Sequence, residues 1–107
     1  MNRIPESDWK EFRKLREVAR ERLCERILAE VCDLAAAPRK SYHERYLAVF
    51  QAIQERDKDI ALVFDDARRS TAVLQLRTMV SMGIVDQTEL EPFSEQTQAA
   101  ALHSFDG

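Results

Sequence analysis

The segment formed by residues 60–82 carries apolar side chains on two opposite sides when it is arranged at helical spacing. One side holds Ile60, Val63, Phe64, Ala67, Thr71 and Leu74, and the other holds Leu62, Val73, Leu76 and Val80. A helix that packs on one neighbour needs only one apolar stripe, so a helix with two must be covered from both sides. The pattern predicts either the central helix of a small bundle or part of a subunit interface.

The scarcity of helix-breaking residues points to an all-α fold. The 107 residues include only two glycines and three prolines, which leaves little material for the tight turns of β-hairpins. Hydrophobic residues make up 45% of the chain, enough for a folded core. We therefore predict a single helical domain over residues 1–107, built as a small antiparallel bundle of three long helices plus a short C-terminal helix. The helices are expected at about residues 6–36, 42–56, 59–82 and 94–104.

Local signals set most of these boundaries. Ser41 and Glu44 form a capping box at the start of the second helix, and Ser94 is a suitable cap for the last one. Gly83 can take the left-handed conformation that ends the third helix. The charged run at residues 55–59 is expected to hold the turn between the second and third helices, because the apolar stripes on either side do not share a phase. The second helix itself carries one apolar stripe, formed by Tyr42, Tyr46, Val49, Phe50 and Ile53.

No catalytic, metal or cofactor signature is present in the sequence. The two histidines, His43 and His103, lack the glutamate three residues earlier that a di-iron carboxylate bundle uses. Together with Cys24 and Cys32 they match no zinc-site spacing, and no glycine-rich phosphate loop occurs. These observations predict a protein that is not an enzyme and that binds no metal or cofactor.

The cysteines and the hydropathy pattern predict a reduced, cytoplasmic protein. Cys24 and Cys32 lie in one predicted helix, where eight residues correspond to about 12 Å of rise. A disulfide needs Cα atoms within about 7 Å, so no disulfide between them is expected. The chain has no apolar run of membrane-spanning length, and its N-terminus lacks the apolar core of an export signal.

The N-terminal half of the first helix is the predicted partner-binding surface. Arg16 and Arg20 fall within its apolar stripe, near Trp9, Phe12 and Arg13. In one interpretation the arginine stems cover apolar surface while their guanidinium groups reach water or a carboxylate. In the other, these five residues anchor a partner, because Trp, Phe and Arg are typical interface anchors. The predicted function is a small cytoplasmic, non-catalytic protein–protein interaction module, an adaptor or regulatory subunit, with self-association into a homodimer as one form.

Charge is concentrated in the middle of the most apolar segment, at Asp65, Asp66, Arg68 and Arg69. A covered charge must be paired, because an unpaired buried charge is very unfavourable. The four residues therefore predict an ion-pair network between helices or subunits. An anion site made by the two arginines is the alternative.

The distribution of charge along the chain bears on nucleic acid as a partner. The net charge is only −3, and residues 1–26 interleave eight basic with six acidic residues, which argues for a solvated face. Residues 78–107 hold five acidic and no basic residues, so this segment would fold against the first helix or shield a basic surface. The alternative function is a nucleic-acid-associated regulator that uses Arg13, Lys14, Arg20, Arg68 and Arg69, with salt-dependent affinity.

Overall fold

The computed structural model describes residues 3–103, and over that range the chain is helical without a β-strand. The predicted all-α class is confirmed. The elements are α1 (Glu6–Ala35), α2 (Tyr42–Phe64), α3 (Ala72–Ser81), a short 3₁₀ helix (Gln87–Leu90) and α4 (Glu95–Ala101). The predicted last helix extended to residue 104, which lies outside the described residues.

α1 and α2 form a long antiparallel hairpin. α1 has 30 residues and α2 has 23, and the chain reverses between them at residues 36–41. The predicted capping box begins α2: the Glu44 amide donates to the Ser41 hydroxyl at 3.1 Å, and the Ser41 amide donates to the Glu44 carboxylate at 2.9 Å. These hydrogen bonds from Ser41 hold the pKa of Glu44 below its usual value.

The charged run at residues 55–59 is helical, so the turn predicted there is wrong. α2 continues through it to Phe64. Arg56 donates to Asp59 at 2.7 Å, and Gln51 donates to Glu55 at 3.4 Å. Pairs three and four residues apart stabilise a helix, so a run of alternating charges is compatible with continued helix.

The break lies at residues 65–71 instead. Asp66 has a φ of +58°, in the left-handed region, where aspartate is more tolerated than most residues. Arg16 donates to the Phe64 carbonyl at 2.8 Å, and the Gln75 amide group donates to the Asp65 carbonyl at 2.8 Å. These side chains satisfy carbonyls that a continuing helix would have bonded internally.

The two apolar sides of residues 60–82 therefore belong to two short stretches of helix. Because the chain turns between them, Val63 of α2 and Leu76 of α3 both lie in the same core. Leu62 and Leu74, from opposite sides of the predicted helix, stay 74% and 50% exposed. The prediction of one long helix at 59–82 covered from two sides is wrong, and α3 has only 10 residues.

The core lies at one end of the hairpin. It is built from the N-terminal part of α1, the last turn of α2, α3 and the segment that follows α3. Its largest fully buried apolar side chains are Phe12, Phe64, Leu76, Met79, Ile84, Leu90 and Val63. Gly83 ends α3 as predicted, with a φ of +72° and the Ile84 amide donating to the Met79 carbonyl at 3.1 Å.

The acidic C-terminal segment docks on α1, which is one of the two arrangements that the charge distribution predicted. Arg22 donates to the Glu89 carboxylate at 2.7 Å and to the Ile84 carbonyl at 2.9 Å. Arg26 donates to the Gly83 carbonyl at 2.6 Å. The hydrogen bond from Arg22 lowers the pKa of Glu89.

Asp8 makes the second connection between α1 and the C-terminal segment. It is 1% exposed and accepts hydrogen bonds from the Ser94 amide (2.9 Å), the Ser94 hydroxyl (2.7 Å) and the Thr97 hydroxyl (2.6 Å). Burial raises the pKa of Asp8, but the hydrogen bonds from Ser94 and Thr97 together outweigh it, so the pKa lies below its usual value. Ser94 also caps α4, as predicted, by accepting from the Thr97 amide.

The far end of the hairpin projects away from the core. We call residues 24–57 the arm. Ala52 is the one buried residue of the arm, although the arm contains about a third of the described chain. The molecule measures 52 × 28 × 24 Å, and this elongation follows from the projecting arm.

Candidate interaction surface

One side of α2 in the arm exposes four large apolar side chains. Tyr42, Tyr46, Phe50 and Ile53 are 85%, 63%, 52% and 49% exposed. They are spaced by three or four residues, so they lie along one side of the helix. We call these four residues the α2 stripe.

Contacts within and beside the α2 stripe order its aromatic rings. The rings of Tyr46 and Phe50 stack with centroids 6.4 Å apart and planes inclined by 23°. The Arg45 guanidinium lies 4.4 Å from the Tyr42 ring centroid, close enough for a cation–π contact. These contacts restrict the rotamers of the three aromatic side chains.

α1 packs on a different side of α2. Ala52 is buried, and the Arg56 guanidinium approaches the Glu30 carboxylate of α1 at 3.8 Å, so these two residues mark the side of α2 that faces α1. The α2 stripe lies roughly 80° to 160° around the helix axis from Ala52. No element formed by residues 3–103 covers it.

The exposed area of the α2 stripe lies within the range of the largest apolar patch on a typical monomer, about 300–600 Å². With about 200 Å² for a fully exposed aromatic side chain, the four residues present roughly 500 Å² of mostly apolar surface. Apolar side chains scattered singly over a surface are normal, but contiguous patches of this area on monomers are often functional. The α2 stripe is therefore the leading candidate site.

The predicted partner anchors at the start of α1 differ from one another in burial. Phe12 is fully buried in the core, so it is not available as a surface anchor in this fold. Trp9 is half-buried and stacks on Phe12 with ring centroids 5.6 Å apart. Arg13 is exposed, and its guanidinium lies 5.9 Å from the Trp9 ring centroid.

Arg16 and Arg20 have structural contacts. Arg16 lies 5.8 Å from the Phe64 ring centroid and caps the end of α2 through its bond to the Phe64 carbonyl. Arg20 forms an ion pair with Glu17. Arg16 also pairs with the Glu17 carboxylate at 3.3 Å, so the guanidinium groups of both arginines reach a carboxylate, as in the first interpretation.

The predicted charge cluster is divided between two separate contacts. Arg68 bonds both carboxylate oxygens of Asp66, at 2.8 and 2.6 Å, and this contact lowers the pKa of Asp66. Arg69 donates to the Ile4 carbonyl at 2.7 and 3.1 Å and to the Glu6 carboxylate at 3.3 Å. Asp65 contributes its backbone carbonyl to Gln75. The four residues thus secure the turn at residues 65–71 and the N-terminal segment, and they do not form one shared site.

The basic residues of the nucleic-acid alternative are mostly paired with acids. The pairs are Lys14–Glu11, Arg20–Glu17, Arg68–Asp66 and Arg69–Glu6. A phosphate-binding stripe needs cations aligned on one face without such partners. This geometry does not favour nucleic acid binding.

The thiols, the metal-ligating side chains and the hydropathy of the helices in the described part of the chain also bear on function. Both thiols are free, with Cys24 half-buried and Cys32 exposed. Between residues 3 and 103, no three side chains of His, Cys, Asp or Glu gather where they could hold a metal ion. In the same range no helix is both long and apolar enough to span a membrane.

Comparison of the chain with known protein families, with curated proteins and with solved structures gives no match.

Proposed function

We propose that this chain is a small, non-catalytic protein–protein interaction module of the cytoplasm, an adaptor or regulatory subunit, that binds through the α2 stripe. The observation that supports this proposal is the set of four adjacent large apolar side chains, each about half exposed or more, on one side of the arm. The binding residues are therefore expected on α2, not among the predicted anchors at the start of α1.

The free energy available from this surface is adequate for binding. Covering roughly 500 Å² of apolar surface is worth roughly 12 kcal/mol at 25 cal/mol per Å². Association loses an estimated 4–15 kcal/mol of translational and rotational free energy, so only the surplus appears as affinity. A partner that adds a matching apolar face of the same size roughly doubles the apolar contribution, which then exceeds the cost of association.

The residue types in the α2 stripe are suited to recognition. Tyrosine and phenylalanine supply large, rigid contact area, and the tyrosine hydroxyl adds a directional hydrogen bond at the rim. Because Tyr46 and Phe50 are stacked on a regular helix, a partner meets a surface that is already shaped. An amphipathic helix laid along the stripe is the partner geometry that such a face accommodates.

Site-specific photo-crosslinking in cells tests the proposal. A benzophenone-bearing phenylalanine analogue replaces Phe50 in the full chain, and the cells are irradiated before lysis. We expect a discrete protein adduct, because a side chain inside an interface lies within reach of the partner throughout the exposure.

The matched control places the same analogue at Leu62, which lies on the same helix, is 74% exposed and is outside the α2 stripe. The chain with the analogue at position 62 is expected to give only weak, diffuse crosslinked products. Equal yields at positions 50 and 62, or no adduct at position 50, would overturn the proposal.

A further inference from the structure

We infer that the partner on the α2 stripe is a second copy of this chain, paired with the first through antiparallel α2 helices related by a two-fold axis. This inference rests on the proposed function, because it names the partner of the same surface. Two observations support it: an antiparallel pair can place Tyr46 of each copy against Ile53 of the other, and the two ends of the stripe carry opposite charges.

Tyr46 and Ile53 of the α2 stripe are equally far from a point between Phe50 and its neighbour Val49, which is half-buried and lies outside the stripe. Tyr46 precedes Val49 by three residues, and Ile53 follows Phe50 by the same step. An axis that passes between Val49 and Phe50 therefore places Tyr46 of one copy against Ile53 of the other, twice. In a two-fold interface each residue pair occurs twice, so self-complementary spacing of this kind is what the symmetry requires.

The symmetry extends by one further turn on each side. Tyr42 lies four residues before Tyr46, and Asp57 lies four residues after Ile53. Tyr42 and Asp57 are both exposed on this side of α2. The antiparallel register therefore sets a phenol donor of one copy opposite a carboxylate acceptor of the other, at each end of the apolar contact.

The charges around the stripe favour the antiparallel direction. Arg39 and Lys40 lie at its N-terminal end, and Asp57 lies at its C-terminal end. Antiparallel pairing brings the basic end of each copy to the acidic end of the other, whereas parallel pairing would place like charges together. Lys58 is directed about 100° away from Asp57 and does not cancel this complementarity. Asp59 is bonded within its own chain by Arg56 at 2.7 Å.

The area is adequate for a dimer of modest affinity. The overlap of residues 42–57 is about 24 Å long. The roughly 500 Å² of the stripe on each copy gives roughly 1,000 Å² in total, which lies in the size range of weak interfaces and below the ~1,600 Å² of a standard one. Because the pairing is antiparallel, the core of each copy lies at the opposite end of the α2 overlap from the core of the other.

Sedimentation equilibrium of the full chain, at about 1 to 200 µM, tests the inference. We expect wild type to pass from monomer to dimer with rising concentration. Phe50→Asp places a charge beside the axis and is expected to weaken the dimer at least about 100-fold. Leu62→Asp, the control outside the stripe, is expected to change it by less than about threefold. Circular dichroism confirms that both variants keep their helix content.

Charge reversal tests the register. Lys40→Asp and Asp57→Lys are each expected to weaken the dimer by about tenfold, and the double variant is expected to restore it. Within one chain the two residues are about 25 Å apart along the helix, so restoration must act between copies.

A wild-type chain that stays monomeric at the highest concentration would overturn the inference. A dimer insensitive to Phe50→Asp, or a double variant as weak as the single ones, would do the same. A monomer whose position 50 crosslinks to a different protein in cells would overturn the second copy as partner while supporting the proposed interaction module. The two failures are therefore distinguishable.

Discussion

Replacing Asp8 by alanine removes the acceptor that joins α1 to α4. The carboxylate is buried and receives one amide and two hydroxyl hydrogen bonds from the C-terminal segment. We expect Asp8→Ala to lower the free energy of unfolding and to leave the helices of the arm in place.

The magnitude follows from what each donor can do once the carboxylate is gone. The Ser94 and Thr97 hydroxyls already lie 3.1 Å apart and can bond each other, so their loss is partly recovered. The Ser94 amide is left without its acceptor, at about 1–3 kcal/mol. The lost charge-assisted hydrogen bonds, and the lost interaction of the carboxylate with the N-terminal end of α1, add to this value. We therefore expect the free energy of unfolding to fall by about 3 kcal/mol in total.

The dependence on pH has a definite sign. The pKa of Asp8 is lower in the folded chain than in the unfolded chain, so the unfolded state takes up the proton first as the pH falls. The stabilisation by Asp8 is therefore fully present above the unfolded pKa, at about pH 4, and is lost as the pH falls through the folded pKa. The difference between wild type and Asp8→Ala should shrink below about pH 4.

Urea unfolding followed by circular dichroism, repeated between pH 7 and pH 3, measures this difference. With a slope of about 2 kcal/mol per M, the midpoint at pH 7 should fall by about 1.5 M. Asp33→Ala, at an exposed position on the same helix, is the control and should shift stability by less than about 0.5 kcal/mol. A loss below about 1 kcal/mol, or a difference that stays constant down to pH 3, would show that the Asp8 carboxylate does not stabilise the fold in this way.

Two further substitutions test the ends of the helices. Gly83→Ala should lower the free energy of unfolding by about 1 kcal/mol, or Tm by about 5 °C, because the φ of +72° disfavours a side chain. The added Cβ would lie 3.7 Å from Arg26, an ordinary contact distance, so the backbone conformation is the cause of the loss. An unchanged Tm would contradict this prediction. Arg16→Met keeps an apolar stem but removes the donor to the Phe64 carbonyl, so the free energy of urea unfolding should fall by about 1–2 kcal/mol. A variant as stable as wild type would show that Arg16 does not stabilise the end of α2.

Helix ends that depend on neighbouring residues could be predicted from the sequence. Ser41 and Glu44 satisfy each other's amides within one turn, and Gly83 supplies the left-handed residue after α3. Ser94 caps α4 through a residue three positions later. These signals need no knowledge of the rest of the fold, because donor and acceptor are fixed by spacing alone.

The turn at residues 65–71 could not be placed in this way. It contains no glycine or proline, and its one left-handed residue is Asp66. The carbonyls at the end of α2 are satisfied by Arg16 and Gln75, one of them distant in sequence. Tertiary contacts therefore decide where α2 stops, and the charged run at residues 55–59 gave a misleading local signal.

Periodicity also could not show which apolar stripes are covered. The sequence shows helical stripes both at the start of α1 and on α2. The C-terminal segment packs along α1 through Asp8 and Arg22 and closes over the core that contains Phe12, whereas the side chains of the α2 stripe stay 49% to 85% exposed. A stripe that is covered by its own chain and one that awaits a partner have the same spacing, so only the fold separates them.

The core and the arm differ in how many of their residues are buried. Ala52 is the arm's one buried residue, and the Nε atoms of Arg45 and Arg56 are buried there without a hydrogen-bond acceptor. A helix pair with so little buried apolar contact opens locally at a lower free energy than the core does. A partner that binds only the closed arm stabilises it by mass action, in proportion to the logarithm of its concentration over Kd. Binding of the proposed partner to the α2 stripe is therefore expected to be coupled to closing of the arm.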